Sequence, residues 1–182
     1  MKNQYLLFFL VLPCFVFAQG LSVDLGAGVS FAGGDAYEDS KTGIDLQFLN
    51  INYNFSEKIG ITVGLASSGH GFEETDATSG LARFSIGPTL TTPIGGLSWE
   101  LKPQFSISSS GIVETSGVEV DIDKASGIII GNSLLFGSND GLQFIGNIDF
   151  VTGKIKEIEG IEIDEDNGYS FFNLGIGLRY NF

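Results

Sequence analysis

"GLSWELKPQFSIS" (96–108) and "SFFNLGIGLRYNF" (170–182) share one property: apolar side chains occupy alternate positions, with small or polar ones between them. A period of two puts successive side chains on opposite faces of a β-strand, so each stretch builds a sheet with two chemically different sides. Eight stretches do this, at 21–32, 43–55, 58–68, 80–91, 96–108, 125–137, 141–153 and 168–182. No 3.6-residue apolar repeat competes with them, and 26 glycines weigh against helix. The expected fold class is all-β.

The connections alternate in length. Ser56–Lys58, Thr92–Gly96 and Ser138–Asp140 are short and rich in turn residues, whereas 33–42, 69–79, 109–124 and 154–167 are long. Setting aside residues 1–18, in which Lys2 is the only charge, leaves 22 acidic and 8 basic residues, net −14, of which the four long loops hold −12. Carboxylates are costly in hydrocarbon, so their exclusion from the strands is the distribution that strands lying in lipid require. The pattern predicts an eight-stranded antiparallel transmembrane up-and-down β-barrel, with short periplasmic turns and four longer acidic extracellular loops.

The N-terminal "MKNQYLLFFLVLPCFVFAQG" combines Lys2, an apolar run from Tyr5 to Phe17 and a small residue at Ala18. It reads as a signal peptide, residues 1–18, cleaved near Ala18, followed by one barrel domain, 19–182. The run is shorter than the roughly 20 residues a spanning helix needs. Cleavage removes Cys14, the sole cysteine, so no disulfide is expected. No later stretch is apolar enough for a membrane helix, which leaves a barrel as the spanning option. The acidic balance excludes nucleic acid as a partner, since its backbone needs clustered Lys and Arg.

Reading each strand by phase puts Leu25, Val63, Phe84, Trp99, Phe105, Ile130, Phe144 and Ile176 on the lipid side. The opposite face carries Asp24, Glu100 and Asp149 against Arg83, Lys102 and Arg179, a lumen charge network with three groups of each sign that can pair inside a narrow barrel. A soluble sandwich has the same alternation with the apolar face turned inward. Aromatic placement separates the two: Tyr53, Phe55, Trp99, Phe136, Phe144, Tyr180 and Phe182 gather near the short-turn ends, as an interfacial girdle does. Three irregularities remain. The apolar phase slips between Phe48 and Leu49, where a β-bulge is expected; Pro88 and Pro103 lie mid-strand at similar distances from one turn; and Ile129 and Leu135 point inward.

The leader, the alternating strands and the closing "GLRYNF", with Gly177, Tyr180 and terminal Phe182, resemble the small OmpA/OmpX-type outer-membrane barrels. The resemblance spans 19–182 and rests on architecture. It implies the outer membrane of a Gram-negative bacterium, contact with the lipid bilayer and lipopolysaccharide, and insertion by the barrel-assembly machinery, with Tyr180 and Phe182 as the assembly signal.

Eight strands enclose a lumen that side chains fill, so activity is expected in the loops. In "ETSGVEVDIDK" (114–124) and "KIKEIEGIEIDED" (154–166) apolar and acidic residues alternate, predicting strands that continue above the membrane, the second turning near Gly160. The reading is a non-enzymatic surface barrel whose acidic loops serve adhesion, envelope integrity or interaction with an extracellular protein or surface ligand. Two alternatives stand beside it. One is porin-like passage or binding of a small ligand. The other is a lipid-modifying enzyme built on His70 of "SSGHGFEETD", where Ser67 or Ser68 and Glu73 or Glu74 supply the residue types of a hydrolytic triad. No catalytic, cofactor-binding or metal-ligating residue is assigned; "DEDNG" (164–168) lacks the spacing of a calcium loop, and loose divalent-cation bridging to lipopolysaccharide is the most that the acidic loops predict.

Overall fold

The computed structural model describes residues 20–73, 75–163 and 167–182. The leader with Cys14 and Ala18, Glu74, and Asp164–Asp166 of "DEDNG" lie outside the described residues. The strands are β1 (Leu21–Gly33), β2 (Gly43–Asn54), β3 (Ile59–Gly71), β4 (Thr78–Ile94), β5 (Leu97–Thr115), β6 (Val118–Gly137), β7 (Gly141–Ile158), β8 (Ile161–Glu162) and β9 (Gly168–Asn181), with a 3-10 helix at Asp35–Tyr37. Each pairs antiparallel with its sequence neighbour, β9 pairs with both β7 and β1, and β8 pairs with β7 alone. The ring is therefore an eight-stranded up-and-down barrel of β1–β7 and β9.

Strand lengths are unequal in a way that shapes one end. β1, β2, β3 and β9 have 12 to 14 residues, while β4 to β7 have 17 to 20. In β4 the excess, Thr91–Ile94, lies at the short-turn end; in β5 to β7 it lies on the long-loop side, where β5–β6 and β7–β8 continue as hairpins. Ser116-Gly117 and Glu159-Gly160 close them, both residues of each pair having positive φ. Two such residues form the turn whose twist matches the flanking strands. Segments 109–124 and 154–163 thus rise as a sheet above one half of the barrel. The opposite half keeps a low rim.

Outward positions are apolar and solvent-accessible around the ring: Leu25, Leu65, Phe84, Phe105, Ile148 and Ile176 are all exposed, Ile176 at 77%. An apolar belt of this extent is unstable in water and is the ordinary exterior of a barrel in hydrocarbon. Phe48 is the extra residue of the expected bulge, since Gln47 pairs with Ala66 and Leu49 with Leu65. Both Phe48 and Leu49 then stay on the lipid side. The β4–β5 ladder is interrupted between Ile86↔Phe105 and Leu90↔Leu101, and its register sets Pro88 opposite Pro103. The two missing N–H groups fall at one level, so the ladder is interrupted there once instead of at two separate places.

Inward positions divide by height. The short-turn half is mostly polar, with the inward Leu135 and Ile145 buried among its polar groups. Toward the long loops the lumen becomes a packed apolar core of Tyr37, Leu81, Ile122, Ala125, Ile129, Val151, Ile155, Tyr169 and Phe171. Tyr169 packs over the paired Gly127 and Gly153, where an added Cβ would run into the Thr152 and Ser126 carbonyls and then meet the Tyr169 hydroxyl at 2.8 and 2.5 Å. Gly153→Ala should therefore lose about 1–3 kcal/mol through overpacking. Gly80→Ala meets nothing within 4 Å and should change stability by less than roughly 0.5 kcal/mol. Urea unfolding in lipid vesicles compares the two, and equal stabilities would show that the close approach at the glycine pair does not constrain packing.

Candidate functional site: the lumen and its cap

Arg179 is the centre of the lower lumen. β9 presents it inward, where Nε and Nη2 donate to Asp24 Oδ1 and Oδ2 at 2.6 and 2.8 Å, and Nη1 and Nη2 donate to Glu100 Oε1 and Oε2 at 2.6 and 2.8 Å. Two carboxylates from β1 and β5 thus grip one guanidinium in bidentate fashion, the geometry that only arginine offers. Lys102 Nζ stands 3.9 Å from Asp24 Oδ2. All four side chains are buried.

One level higher, Gln47 bridges the lumen. Its Nε2 donates to Asp149 Oδ2 at 2.7 Å, while its Oε1 accepts from Asn147 Nδ2 at 3.1 Å and Asn50 Nδ2 at 3.3 Å. Gly26 of β1 lines the path between β2 and β7: a Cβ there would touch Gln47 Oε1 and Asn147 Nδ2 at 3.4 and 3.6 Å, so a longer side chain would take the space that Gln47 crosses. A void of about 30 Å3, room for about one water, lies among Asp45, Gln47, Arg83, Lys102 and Asp149.

At the third level Arg83 donates from Nη2 to Asp45 Oδ1 and from Nη1 to Ser68 Oγ, both at 2.8 Å, and Ser68 donates to Asp45 Oδ1 at 2.7 Å. The guanidinium carbon lies 5.4 Å from the centre of the Phe171 ring. Among the described residues the buried set thus holds four carboxylates, Asp24, Asp45, Glu100 and Asp149, against Arg83, Lys102 and Arg179. Asp45 is the group that sequence phase did not supply, because the slip at Phe48 blurs which side of β2 faces inward.

Above Phe171 the loop 34–42 folds back as a cap. Its Tyr37 packs edge-on against Phe171 and His70, with ring centres 5.0 and 5.5 Å away, stacks on Phe72, and shares a 2.9 Å hydrogen bond with Ser79. Lys41 N donates to Gly71 O and Glu73 N to Asp39 O, tying this loop to the next. Burial pushes the Tyr37 phenol above its usual range, a shift that the Ser79 hydrogen bond opposes. Nothing in the alternation pointed to Tyr37, which sits in a loop by pattern. An aromatic in an otherwise acidic, small-residue segment is the only signal it gives.

His70 is buried in this cap, stacked on Phe171, with Nδ1 3.2 Å from the Lys41 carbonyl. The Ser68 hydroxyl is committed to Asp45 and Arg83, Ser67 lies outside the buried set, and Glu73 is exposed. The residues of the candidate triad are therefore not brought together among the described ones. At the other end a polar vestibule of about 920 Å3 opens between the short turns and ends on Glu100 and Arg179. Tyr53, Phe55, Trp99, Phe144, Tyr180 and Phe182 ring this end, Tyr53 against Phe55 at 5.2 Å and Tyr180 against Phe182 at 5.0 Å.

No protein-family model matches the chain, and no curated protein matches it in sequence. Solved structures do. Neisserial surface protein A is similar with a TM-score of 0.65 and 12% identity, over 90% of this chain and 97% of that one. Ail, the attachment invasion locus protein of Yersinia pestis, aligns with a TM-score of 0.48 and 19% identity over 88% and 99% of the two chains. The outer membrane protein OprG from Pseudomonas aeruginosa aligns with 0.46 and 11% over 90% and 97%. The first of these shows the fold: a small eight-stranded outer-membrane-type barrel, the architecture that the resemblance in the sequence implies.

The Arg179 cluster makes a direct test of what fills the lumen. Arg179→Met leaves Glu100 buried without its counter-charge and Asp24 with only Lys102, 3.9 Å away, and should cost about 3–5 kcal/mol. Combining it with Asp24→Asn and Glu100→Gln should recover most of that loss. Equilibrium urea unfolding in vesicles reads both, and equal losses in the single and triple variants would mean that charge compensation is not what holds this level together.

Proposed function

We propose that the chain is a non-enzymatic outer-membrane β-barrel of a Gram-negative bacterium, exported by residues 1–18 and cleaved near Ala18. Residues 19–182 insert with the short turns in the periplasm and the raised hairpins outside. One observation carries the reading: the apolar belt surrounds a lumen closed by its own side chains, from the Arg179 cluster to the Tyr37 cap. Solute flow and interior chemistry are then poorly served, and the part left to meet the surroundings is the acidic sheet of 109–124 and 154–163. That sheet serves surface interaction, with an extracellular protein or another surface ligand, or the integrity of the envelope. Tyr180 and Phe182, exposed at the end of β9, form the signal for the barrel-assembly machinery, and the belt is in contact with lipid and lipopolysaccharide.

The orientation has a clean chemical test, because Cys14 in the leader is the only natural cysteine. Ser116→Cys at the tip of β5–β6 should react with a membrane-impermeant maleimide on intact cells, and Ser138→Cys in a short turn should react only after lysis. The reverse pattern overturns the orientation.

The vestibule of about 920 Å3 favours a second reading, binding of a small polar ligand from the short-turn side or its passage through the barrel. Planar-bilayer recording separates it from the first. The closed lumen should give no steady channel, and a persistent open conductance would replace the surface reading with a porin-like one.

A further inference from the structure

The cap 34–42 is tied to the end of β3 around one residue, His70. Its Nδ1 donates to Lys41 O at 3.2 Å, Lys41 N donates to Gly71 O at 2.8 Å, Ser40 bridges to Phe72, and Glu73 N donates to Asp39 O at 3.0 Å. A carbonyl only accepts, so in the neutral ring Nδ1 carries the hydrogen and Nε2 keeps its lone pair. That Nε2 is buried with no hydrogen-bond partner among the described residues.

A proton added at Nε2 would meet no acceptor there. The ring stacks on Phe171 and meets Tyr37 edge-on, so the new charge would lie against two aromatic rings. Phe171 already has the Arg83 guanidinium over it, and a second cation would share that ring. Arg83 faces the site from β4 and Asp45 from β2, where Asp45 is bonded to Arg83 and Ser68. Tyr37 and Lys41 face it from the cap, while Asp35, Glu38 and Asp39 of the cap and Glu73 after β3 are exposed. Burial holds the His70 pKa below the ordinary histidine range; the Lys41 carbonyl opposes this, Arg83 adds to it and Asp45 opposes it.

We infer that loop 34–42 is an acid-released cap: a proton on His70 frees the loop from β3 and uncovers the seat of Tyr37 on Phe72 and Phe171. Once the cap lifts, the imidazolium reaches water, and the cost of a buried, unpaired charge disappears. A buried neutral histidine sets the direction. The closed cap is fully held above about pH 6.5, the ordinary histidine value, and weakens as the pH falls below it. The released loop bares aromatic rings beside the raised sheet, so the surface offered to a partner differs between neutral and acidic surroundings. The Arg179 cluster lies far below and keeps the lumen closed in both states. Which medium sets the pH follows from the proposed orientation, whereas the release itself does not depend on it.

The test uses the folded full barrel in phosphatidylcholine nanodiscs. Hydrogen exchange of the Lys41 and Glu73 amides, which bond across the cap, is followed by NMR and corrected for the intrinsic effect of pH. Between about pH 7.5 and about pH 5 their opening constants should rise by up to roughly thirtyfold, the ratio set by a group that titrates near 6.5 once released. Thr91 N, bonded to Lys58 O at the other end of the barrel, should keep its protection. His70→Phe keeps a stacked ring without a titrating nitrogen, and there the rise should vanish. His70→Gln stays neutral and retains a donor for the Lys41 carbonyl, so it should behave alike. Heat-modifiable migration checks folding, and if His70→Phe does not fold, His70→Gln decides. Unchanged protection of Lys41 and Glu73 in the natural barrel, an equal loss at Thr91, or the same rise in the folded variants overturns the cap. The measurement is independent of location in the cell, so a failed orientation test and a failed cap are separately visible.

Discussion

Everything inside this protein depends on the seam between its first and last strands. β1 and β9 pair from Ser22↔Asn181 to Gly33↔Ser170, and Phe182 N donates to Leu21 O at 3.0 Å. Left open, the sheet would present two rows of unpaired backbone groups to hydrocarbon, each costing several kcal/mol. Closure removes both edges at once. Gly26 and Gly28 on β1 oppose Gly177 and Gly175 on β9, and a side chain at Gly28 or Gly177 would run into the Leu174 or Leu25 carbonyl of the partner strand. At these two levels, between the Asp24–Arg179 pair and the Ser30–Asn173 pair, the seam contributes backbone rather than side chains to the lumen wall.

That bare wall determines how the lumen fills. With no side chains projecting from the glycine pairs, Gln47 reaches across to Asn147 and Asp149 instead of stopping at its own strand. Below it, Arg179 joins the neighbouring β9 and β1 to β5 across the lumen, so three strands share one guanidinium. A buried ion pair offsets its own desolvation at best, and its net contribution to stability is small. Its stronger effect is on alternatives: a register slip on β9 would turn Arg179 into lipid and leave two buried carboxylates with Lys102 as their one nearby cation.

The sequence made the barrel legible because a period of two is both the local signal of a strand and the global pattern of inside and outside. Strand phase, the Phe48 slip and the Pro88/Pro103 irregularity were all readable for that reason. Asp45 was not, because the same slip that announces a bulge hides the phase on its far side. The apolar upper core escaped as well. Leu81, Val151 and Phe171 sit in stretches where apolar residues occupy both faces, and alternation carries no information there. Tyr37 lay furthest from view, since a loop has no period and only the closed barrel shows that a ring is wanted at its mouth. A polar plug was the natural inference from three acids and three bases, and half of the plug is instead aromatic and aliphatic.

The Tyr37 cap divides the long-loop end into two kinds of sequence. Residues 34–42 carry a buried ring and are tied by backbone bonds to Gly71 and Glu73, so change there disturbs packing inside the barrel. The hairpin tips at Ser116-Gly117 and Glu159-Gly160 are exposed and make few demands beyond their turn geometry. Such tips tolerate substitution and insertion. Variation under selection by an antibody or a competing ligand would then collect at 114–120 and 159–162 and spare 34–42, as well as Val113, Ile158 and Ile163, which pack on the core. The loop nearest the N-terminus behaves as interior, and the protein's face to its surroundings is free to drift without touching the fold.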